Sequence, residues 1–477
     1  MKTQFVSAGG MILSAPRTTA GWVTGQPATT QPNDSRGSSK LCRLIGPLLA
    51  AATVLQAAVV FGGPPAYTFK PISFLGDPVP GGGTFINDYE PSGINNRGQI
   101  AFTADLSAGG EGVFLGGGGA ALRQVVRAGQ VAPGTGGELF GPWEWQNLGF
   151  NDEGDAAIAF SLGLFTHWWA GFNGCYGGVW RYSHVTQQVT PVMVPGDPVP
   201  GSEGGIFMGV GYGVGMNNQG TIAFEGILSV GPETALTPGF DGEVESMTAG
   251  LFLAGKDGTI RAVVVPGGPA PNGDTWKSAF NPSINAAGDM SFGAWTVGAQ
   301  AGEKRESVYV RKAATGEILT VALAGDLAPG GGEFLDCDQS KINDRGDVAF
   351  TGYLYPDGGT SGFYLYTGGT LVRVAGSGDV MPGGGHFVYG SGNVGLNNSG
   401  TVAFTAALDT GEEGVYAYSR GSLRLIAKTG TVIPGLGTVS GVAFTNNPLN
   451  DRGQAVFGCD LSDGRTVLLL ATPKGEK

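Results

Sequence analysis

The sequence predicts an all-β fold: a seven-bladed β-propeller of four-stranded antiparallel blades, closed by the N-terminal strand joining the last blade. Three observations carry this. One tight-turn motif recurs seven times. The same order of short apolar strands and a Gly/Pro linker accompanies each copy. The two ends of the repeated region also complement each other, one holding a strand too many and the other a strand too few.

The turn is a hydrophobic residue followed by Asn-x-x-Gly. It occurs at Asn95–Gly98, Asn151–Gly154, Asn217–Gly220, Asn285–Gly288, Asn343–Gly346, Asn397–Gly400 and Asn450–Gly453, at separations of 53 to 68 residues. Periods of this size mark repeat architectures. Asn suits the first position of a type I turn and Gly the fourth, where a bulged hairpin takes positive φ. A short strand follows, as in Ile100-Ala101-Phe102, Ile222-Ala223-Phe224, Val348-Ala349-Phe350 and Val402-Ala403-Phe404. Side chains alternate between faces, and both faces here are apolar, so the sheet must be covered on both sides. A third strand starts near a glycine (Gly112-Val113-Phe114, Gly250-Leu251-Phe252, Gly362-Phe363-Tyr364, Gly414-Val415-Tyr416), and a fourth follows a turn, as in Leu423 to Ile426. Linkers through Pro80, Pro133, Pro200, Pro271, Pro329, Pro382 and Pro434 end each unit. Proline has no donor to extend a ladder. Asp77, Asp197, Asp326 and Asp379 follow the linker glycine, where a turn-forming role is expected.

The last unit reaches a third strand at Thr466–Leu470, while an orphan strand, Tyr67–Leu75, precedes the first unit. Pairing the two closes a ring and leaves only short edges. The propeller is therefore expected to span residues 66–473 as a single domain, monomeric, with a polar tail at 474–477. Residues 1–62 read as a polar leader followed by a signal peptide or N-terminal anchor. Lys40 and Arg43 precede an uncharged run from Leu44 to Phe61 that ends at Gly62-Gly63-Pro64-Pro65. Cleaved or not, such a segment sends the rest outward, giving a secreted, cell-surface or periplasmic protein that meets a membrane only through an uncleaved N-terminal segment.

Composition bounds the partners. Charged residues make up 14% of the chain and glycine contributes 88 of its 477 residues. Apolar residues at 41% exceed what a disordered chain carries. Without the first 62 residues, 22 basic and 38 acidic side chains remain, a formal charge of −16. Phosphate backbones need cationic neutralisation, so nucleic acid is excluded as a partner. Cys42, Cys175, Cys337 and Cys459 match no zinc or redox spacing and read as packed cysteines, or as one bridge with a free thiol. The three histidines, His167, His184 and His386, fall in different units. No cofactor motif appears and no catalytic residue is assigned.

Repeats of Ile-Asn-x-x-Gly-x-Val-Ala-Phe, the Gly-Val-Phe/Tyr strand and the Gly-Asp-x-x-Pro-Gly linker, from Tyr67 to about Pro473, resemble uncharacterised bacterial extracellular repeat proteins, including those with HAF-like repeats. The resemblance implies a repeat fold and no defined activity.

Candidate sites follow from loop length, since function concentrates in long loops on rigid scaffolds. The loops joining second and third strands are long in unit 2 (Ser161–Gly177), unit 3 (Glu225–Ala249) and unit 4 (Gly293–Glu306), and all belong to the face opposite the Asn turns. Unit 2 carries Trp143, Trp145, Trp168 and Trp169, with His167 alongside, an aromatic platform for a sugar ring or a peptide. The other reading folds that loop over its own aromatic cluster; Trp180 belongs to the core. Acids form a second set. Asp88, Glu90, Glu144, Asp336 and Asp338 fall in innermost strands, and Glu225, Asp241, Glu243 and Glu245 in the unit 3 loop. A facing pair could act as acid and base or nucleophile, and converging oxygens could hold Ca²⁺, though no metal-ligand spacing appears. The leading expectation is a non-enzymatic binding propeller for a glycan, cell-wall component or protein. Its alternatives are a glycan hydrolase or lyase using a carboxylate pair on the insertion face, and a purely structural surface protein.

Overall fold

The computed structural model describes residues 67–141, 148–163, 174–202, 204–229, 247–271, 273–298, 304–355, 360–444 and 447–475. Every regular element among them is a β-strand, and the strands form seven antiparallel sheets. Blade 1 runs Phe85–Ile94, Gln99–Leu106, Glu111–Gly117, Ala120–Arg127. Blade 2 is Leu148–Phe150, Ala156–Ser161, Gly177–Tyr182, Val189–Met193, and blade 3 is Phe207–Met216, Ile222–Ser229, Met247–Ala254, Ile260–Val264. Blade 4 is Thr275–Ile284, Met290–Val297, Lys304–Arg311, Ile318–Ala322. Blade 5 is Phe334–Ile342, Val348–Leu354, Thr360–Thr367, Thr370–Gly376, and blade 6 is Phe387–Leu396, Val402–Leu408, Glu413–Ser419, Ser422–Lys428. Blade 7 takes Gly437–Ala443, Ala455–Leu461 and Thr466–Pro473 from the end of the chain and its outer strand, Tyr67–Phe74, from the start. Tyr67 lies opposite Pro473 and Phe74 opposite Val467, the closure expected from the sequence.

Aromatic side chains recur at fixed places within the blades. The repeat phenylalanine stacks on the aromatic residue opposite it in the third strand: Phe102 on Phe114, Phe224 on Phe252, Phe292 on Tyr309, Phe350 on Tyr364 and Phe404 on Tyr416, with centroids 5.5 to 5.9 Å apart. An aromatic from the first strand (Phe85, Phe207, Trp276 or Phe334) meets the third-strand ring edge-on at 4.8 to 5.0 Å. Burying each such ring contributes roughly 1.5–3 kcal/mol, and the tilted geometry adds to that. Trp180 is fully buried, packs edge-on against Phe140 and donates from Nε1 to the Pro133 carbonyl at 2.9 Å.

The Asn turns are hairpins of the expected kind. In all seven, the glycine N–H donates to the asparagine carbonyl and the glycine has φ between 71° and 96°. The asparagine side chains do more than form turns. Each Nδ2 also donates to the backbone carbonyl of the next blade's asparagine: Asn95 to Asn151, Asn151 to Asn217, Asn217 to Asn285, Asn285 to Asn343, Asn343 to Asn397, Asn397 to Asn450, and Asn450 back to Asn95. The seven asparagines are buried, and their bonds form a closed circle around the axis.

A second circle lies beside the first, made by the next residue of each turn: Asn96, Asp152, Asn218, Ala286, Asp344, Asn398 and Asp451. The backbone N–H of one blade donates to the side-chain oxygen of the next, from Asn96 to Asp152, Asp152 to Asn218, Ala286 to Asp344, Asp344 to Asn398, Asn398 to Asp451 and Asp451 to Asn96, at 2.6 to 2.8 Å. Amides and carboxylates alternate, so each amide donates to acids beside it. Strict alternation cannot close on an odd number of blades. Ala286 stands where it breaks.

The linkers turn on side chains too. Asp77, Asp197, Asp326 and Asp379 accept the N–H three residues before them, and Gln130 and Thr431 do so where Asp is missing. Cys175, Cys337 and Cys459 are free thiols, so among the described residues the packed reading holds and the bridge does not form.

Candidate functional site

The unit 3 and unit 4 insertions are shorter than the sequence suggested. The second strand of blade 3 continues through Ser229, and the strands of blade 4 reach Val297 and resume at Lys304. Glu225 is therefore a strand residue and not part of a loop, and it is buried. Trp143, Trp145, His167, Trp168 and Trp169 lie outside the described residues, as do Glu144, Asp241, Glu243, Glu245 and the side chains of Asp88 and Glu90. The unit 2 insertion ends in a two-residue strand, Gly174–Cys175, paired with Val210–Gly211 on the inner edge of blade 3. Its last residues thus join the channel wall beside Glu225.

Glu225 lies opposite a bulge in the first strand of its own blade, between Val210 and Val214. Its carboxyl accepts the Gly213 N–H at 3.4 Å and the backbone N–H of Asn281 in blade 4. The carboxyl fills the space where a Cβ on residue 211 would stand, and Asn281 and Pro282 crowd the same place on residue 213. Two glycines thus let a glutamate and the next blade approach the strand. Burial, with Asp338 nearby, pushes the Glu225 carboxyl up to about 8, against the pull of the two backbone donors.

Asn281 connects three blades. It sits at φ 52° in a first-strand bulge, gives its N–H to Glu225 of blade 3 and donates from Nδ2 to Asp338 of blade 5 at 3.1 Å. Asp338 also takes the backbone N–H of Gln339, itself at φ 56°. Asp336 lies two residues before Asp338, on the same side of the strand, and hydrogen-bonds Glu306 from the third strand of blade 4. Trp295, opposite Glu306 in the sheet, donates to it.

Asp336, Asp338 and Lys341, all in the first strand of blade 5, are half-buried. Loss of water raises the Glu306 carboxyl, helped by the charges of Asp338 and Asp336, and raises Asp336 and Asp338 as well. Burial lowers the Lys341 ammonium to about 8, opposed by Asp338. Tyr353 is raised to about 12 by burial and by the three acids of blades 4 and 5.

The sequence named Glu225, Asp336 and Asp338, and the structure brings these three into one network. It missed Glu306, Asn281 and Lys341. A signal for Glu225 existed in the departures from the repeat. The place of Glu225 is Thr103, Ser161, Thr351 and Thr405 in four other blades and Gly293 and Gly458 in the remaining two. The place of Glu306 is Ser361 in blade 5, whose hydroxyl accepts the Gly390 N–H at 3.4 Å. An acid at the place of Glu225 occurs in blade 3 alone, whereas the place of Glu306 is also a glutamate in blades 1 and 6, at Glu111 and Glu413. No group of three or more His, Cys, Asp or Glu side chains among the described residues could hold a metal ion.

Seven sheets around an axis, with one acid-rich sector in the wall, define an all-β repeat propeller whose channel is chemically uneven. The chain belongs to a family of unknown function (DUF7453), whose model matches residues 57–235, 231–381 and 333–467. No curated protein matches it. Among solved structures it is similar to an oligogalacturonate lyase in complex with manganese, at 12% identity and TM-score 0.47, covering 86% of this chain and 98% of that one. It is also similar to the polysaccharide lyase Uly1, at 12% identity and TM-score 0.44 over 80% and 90%. The β-propeller domain of the Trilobed protease from Pyrococcus furiosus matches at 12% identity and TM-score 0.38 over 69% and 77%. At such identities these likenesses concern the fold alone.

Proposed function

We propose that this chain is an exported, non-enzymatic binding propeller that takes an uncharged glycan at the face opposite the Asn turns, in the sector of blades 2 to 5. The observation that carries the reading is the set of carboxyls Glu225, Glu306, Asp336 and Asp338, all of which burial favours in the protonated form. A protonated carboxyl both donates and accepts, as sugar hydroxyls require. An anionic sugar would meet acids and a single lysine of reduced charge. The tryptophans of the unit 2 insertion, Trp143, Trp145, Trp168 and Trp169 with His167, are the proposed stacking surface beside it.

The rival hydrolase reading fits less well. Glycosidase carboxylates stand roughly 5 Å or more apart, whereas Glu306 and Asp336 share a hydrogen bond. A lyase reading has Lys341 as a candidate base, but burial moves Tyr353 away from base duty. Export rests on the basic flank at Lys40 and Arg43 and the apolar run after it.

Calorimetric titration of the full chain with neutral and uronate oligosaccharides tests the proposal. The expected result is binding of a neutral oligosaccharide, weakened about tenfold by Asp338→Ala through loss of a hydrogen bond to a sugar hydroxyl. Equal binding of uronates, an unaffected Asp338→Ala variant, or shortened or unsaturated products would overturn it.

A further inference from the structure

We infer that the seam between blades 4 and 5 is an acid-operated latch, in which a proton shared by Glu306 and Asp336 joins the blades and its loss drives them apart. The inference is independent of what the sector binds. Its basis is the position of the pair. Glu306 belongs to the third strand of blade 4 and Asp336 to the first strand of blade 5, and their carboxyls hydrogen-bond across the seam. Two carboxyls can bond to each other only while one keeps its proton. Without it, two like charges meet where little water screens them.

The surroundings add to the effect. Blade 5 presents Asp338, Cys337 and Lys341 from the same first strand and Tyr353 from the second. Blade 3 presents Glu225, which acts on the group through Asp338, and blade 4 itself contributes the Trp295 donor. Lys341 is the one cation acting on Asp338 in this set, and it is itself disfavoured as a charge by burial.

The neighbouring seam supplies the contrast. Between blades 5 and 6 the matching place holds Ser361, whose hydroxyl accepts the Gly390 N–H, and the Ser391 hydroxyl meets that of Thr405 close by. Neither pair has a carboxyl to titrate. Glu111 and Glu413 hold the place of Glu306 in blades 1 and 6; what marks the seam of blades 4 and 5 is that Glu306 meets a second carboxyl, Asp336.

The sign follows from proton counts. Carboxyls raised in the folded state bind more protons there than in the unfolded chain, so stability is full below the unfolded pKa. It falls as pH rises from about 4.5 through the raised values. The latch is therefore closed in acid and released in base.

Hydrogen–deuterium exchange of the full chain, corrected for the intrinsic pH dependence, reads this seam directly. Peptides covering Lys304–Arg311 and Phe334–Ile342 are followed at about pH 5 and about pH 9, with the blade 6 strands as internal reference. The wild type is expected to lose protection at least about tenfold in the two seam peptides relative to blade 6. Glu306→Gln keeps a donor amide toward Asp336 without a titrating proton and should flatten the response. Asp336→Asn tests the same point from the other blade should the first variant fail to fold. A wild-type seam that tracks blade 6 at both pH values, or a variant that folds and keeps the wild-type response, would overturn the latch.

Discussion

Asn450→Ala tests the asparagine circle at the meeting of blades 7 and 1. The buried side chain donates from Nδ2 to the Asn95 carbonyl at 2.9 Å and to Gln454 Oε1 at 2.9 Å, and its Oδ1 accepts the N–H groups of Arg452 and Gln454 at 3.0 Å. Truncation removes these four bonds. A made hydrogen bond contributes about 0.5–1.5 kcal/mol net, and a buried donor left without an acceptor costs about 1–3 kcal/mol. The Asn95 carbonyl keeps its bond from the Gly98 N–H, so the damage concentrates on the two turn amides and the lost bond between blades. The expected loss is about 3–5 kcal/mol. Urea unfolding at equilibrium measures it as a lower midpoint at unchanged slope. Asn397→Ala makes the same kind of cut between blades 6 and 7. Linkers join blades 6 to 7 and 7 to 1 alike, because chain closure occurs inside blade 7 and not between blades. The two variants should therefore lose the same amount within about 1 kcal/mol. A loss below about 1 kcal/mol in either one would refute the account of the circle as a stabilising network.

Two further substitutions probe other parts of the ring. Ala286→Asn offers an acceptor to the Asn218 N–H and a donor to Asp344, and should raise stability by about 0.5–1.5 kcal/mol. Ala286→Asp sets a second acid beside Asp344 and should lower stability in a salt-sensitive way, so denaturation midpoints ordered Asn above Ala above Asp are the expected readout. Gly211→Ala puts a methyl into the Glu225 carboxyl and should cost about 1–3 kcal/mol in the wild type. In the Glu225→Thr background the cost should shrink by at least about 0.5 kcal/mol, and strict additivity in calorimetric stability would sink the packing argument.

What the sequence disclosed and what it hid separate along one line. Features that act within a few residues were legible: the Asn-to-Gly hairpins and the Pro linkers. The pairing of Tyr67–Phe74 with the last strand was legible for another reason, because counting strands per repeat exposes it. Features made between blades were not. Asn95 looks complete as a turn residue, and nothing near it tells that its amide reaches a carbonyl 56 positions away. The sequence places Glu225 at the start of the unit 3 loop, yet the strand continues through Gly226, Ile227 and Leu228. Asp336 and Asp338 were visible as acids in an innermost strand. Their neighbour Glu306 belongs to another blade's third strand, at a place that is also glutamate in blades 1 and 6, so nothing in the repeat marks it out.

The antiparallel pairing of Tyr67 with Pro473 has a mechanical consequence. Force applied outward at those two residues acts across the ladder and breaks its bonds one after another, beginning at that rung, as a zipper opens. Loaded in parallel, the same bonds would resist together. A molecule tethered through both sides of this joint would yield at low tension, whereas one held by a single side and pulled elsewhere would not feel the weakness.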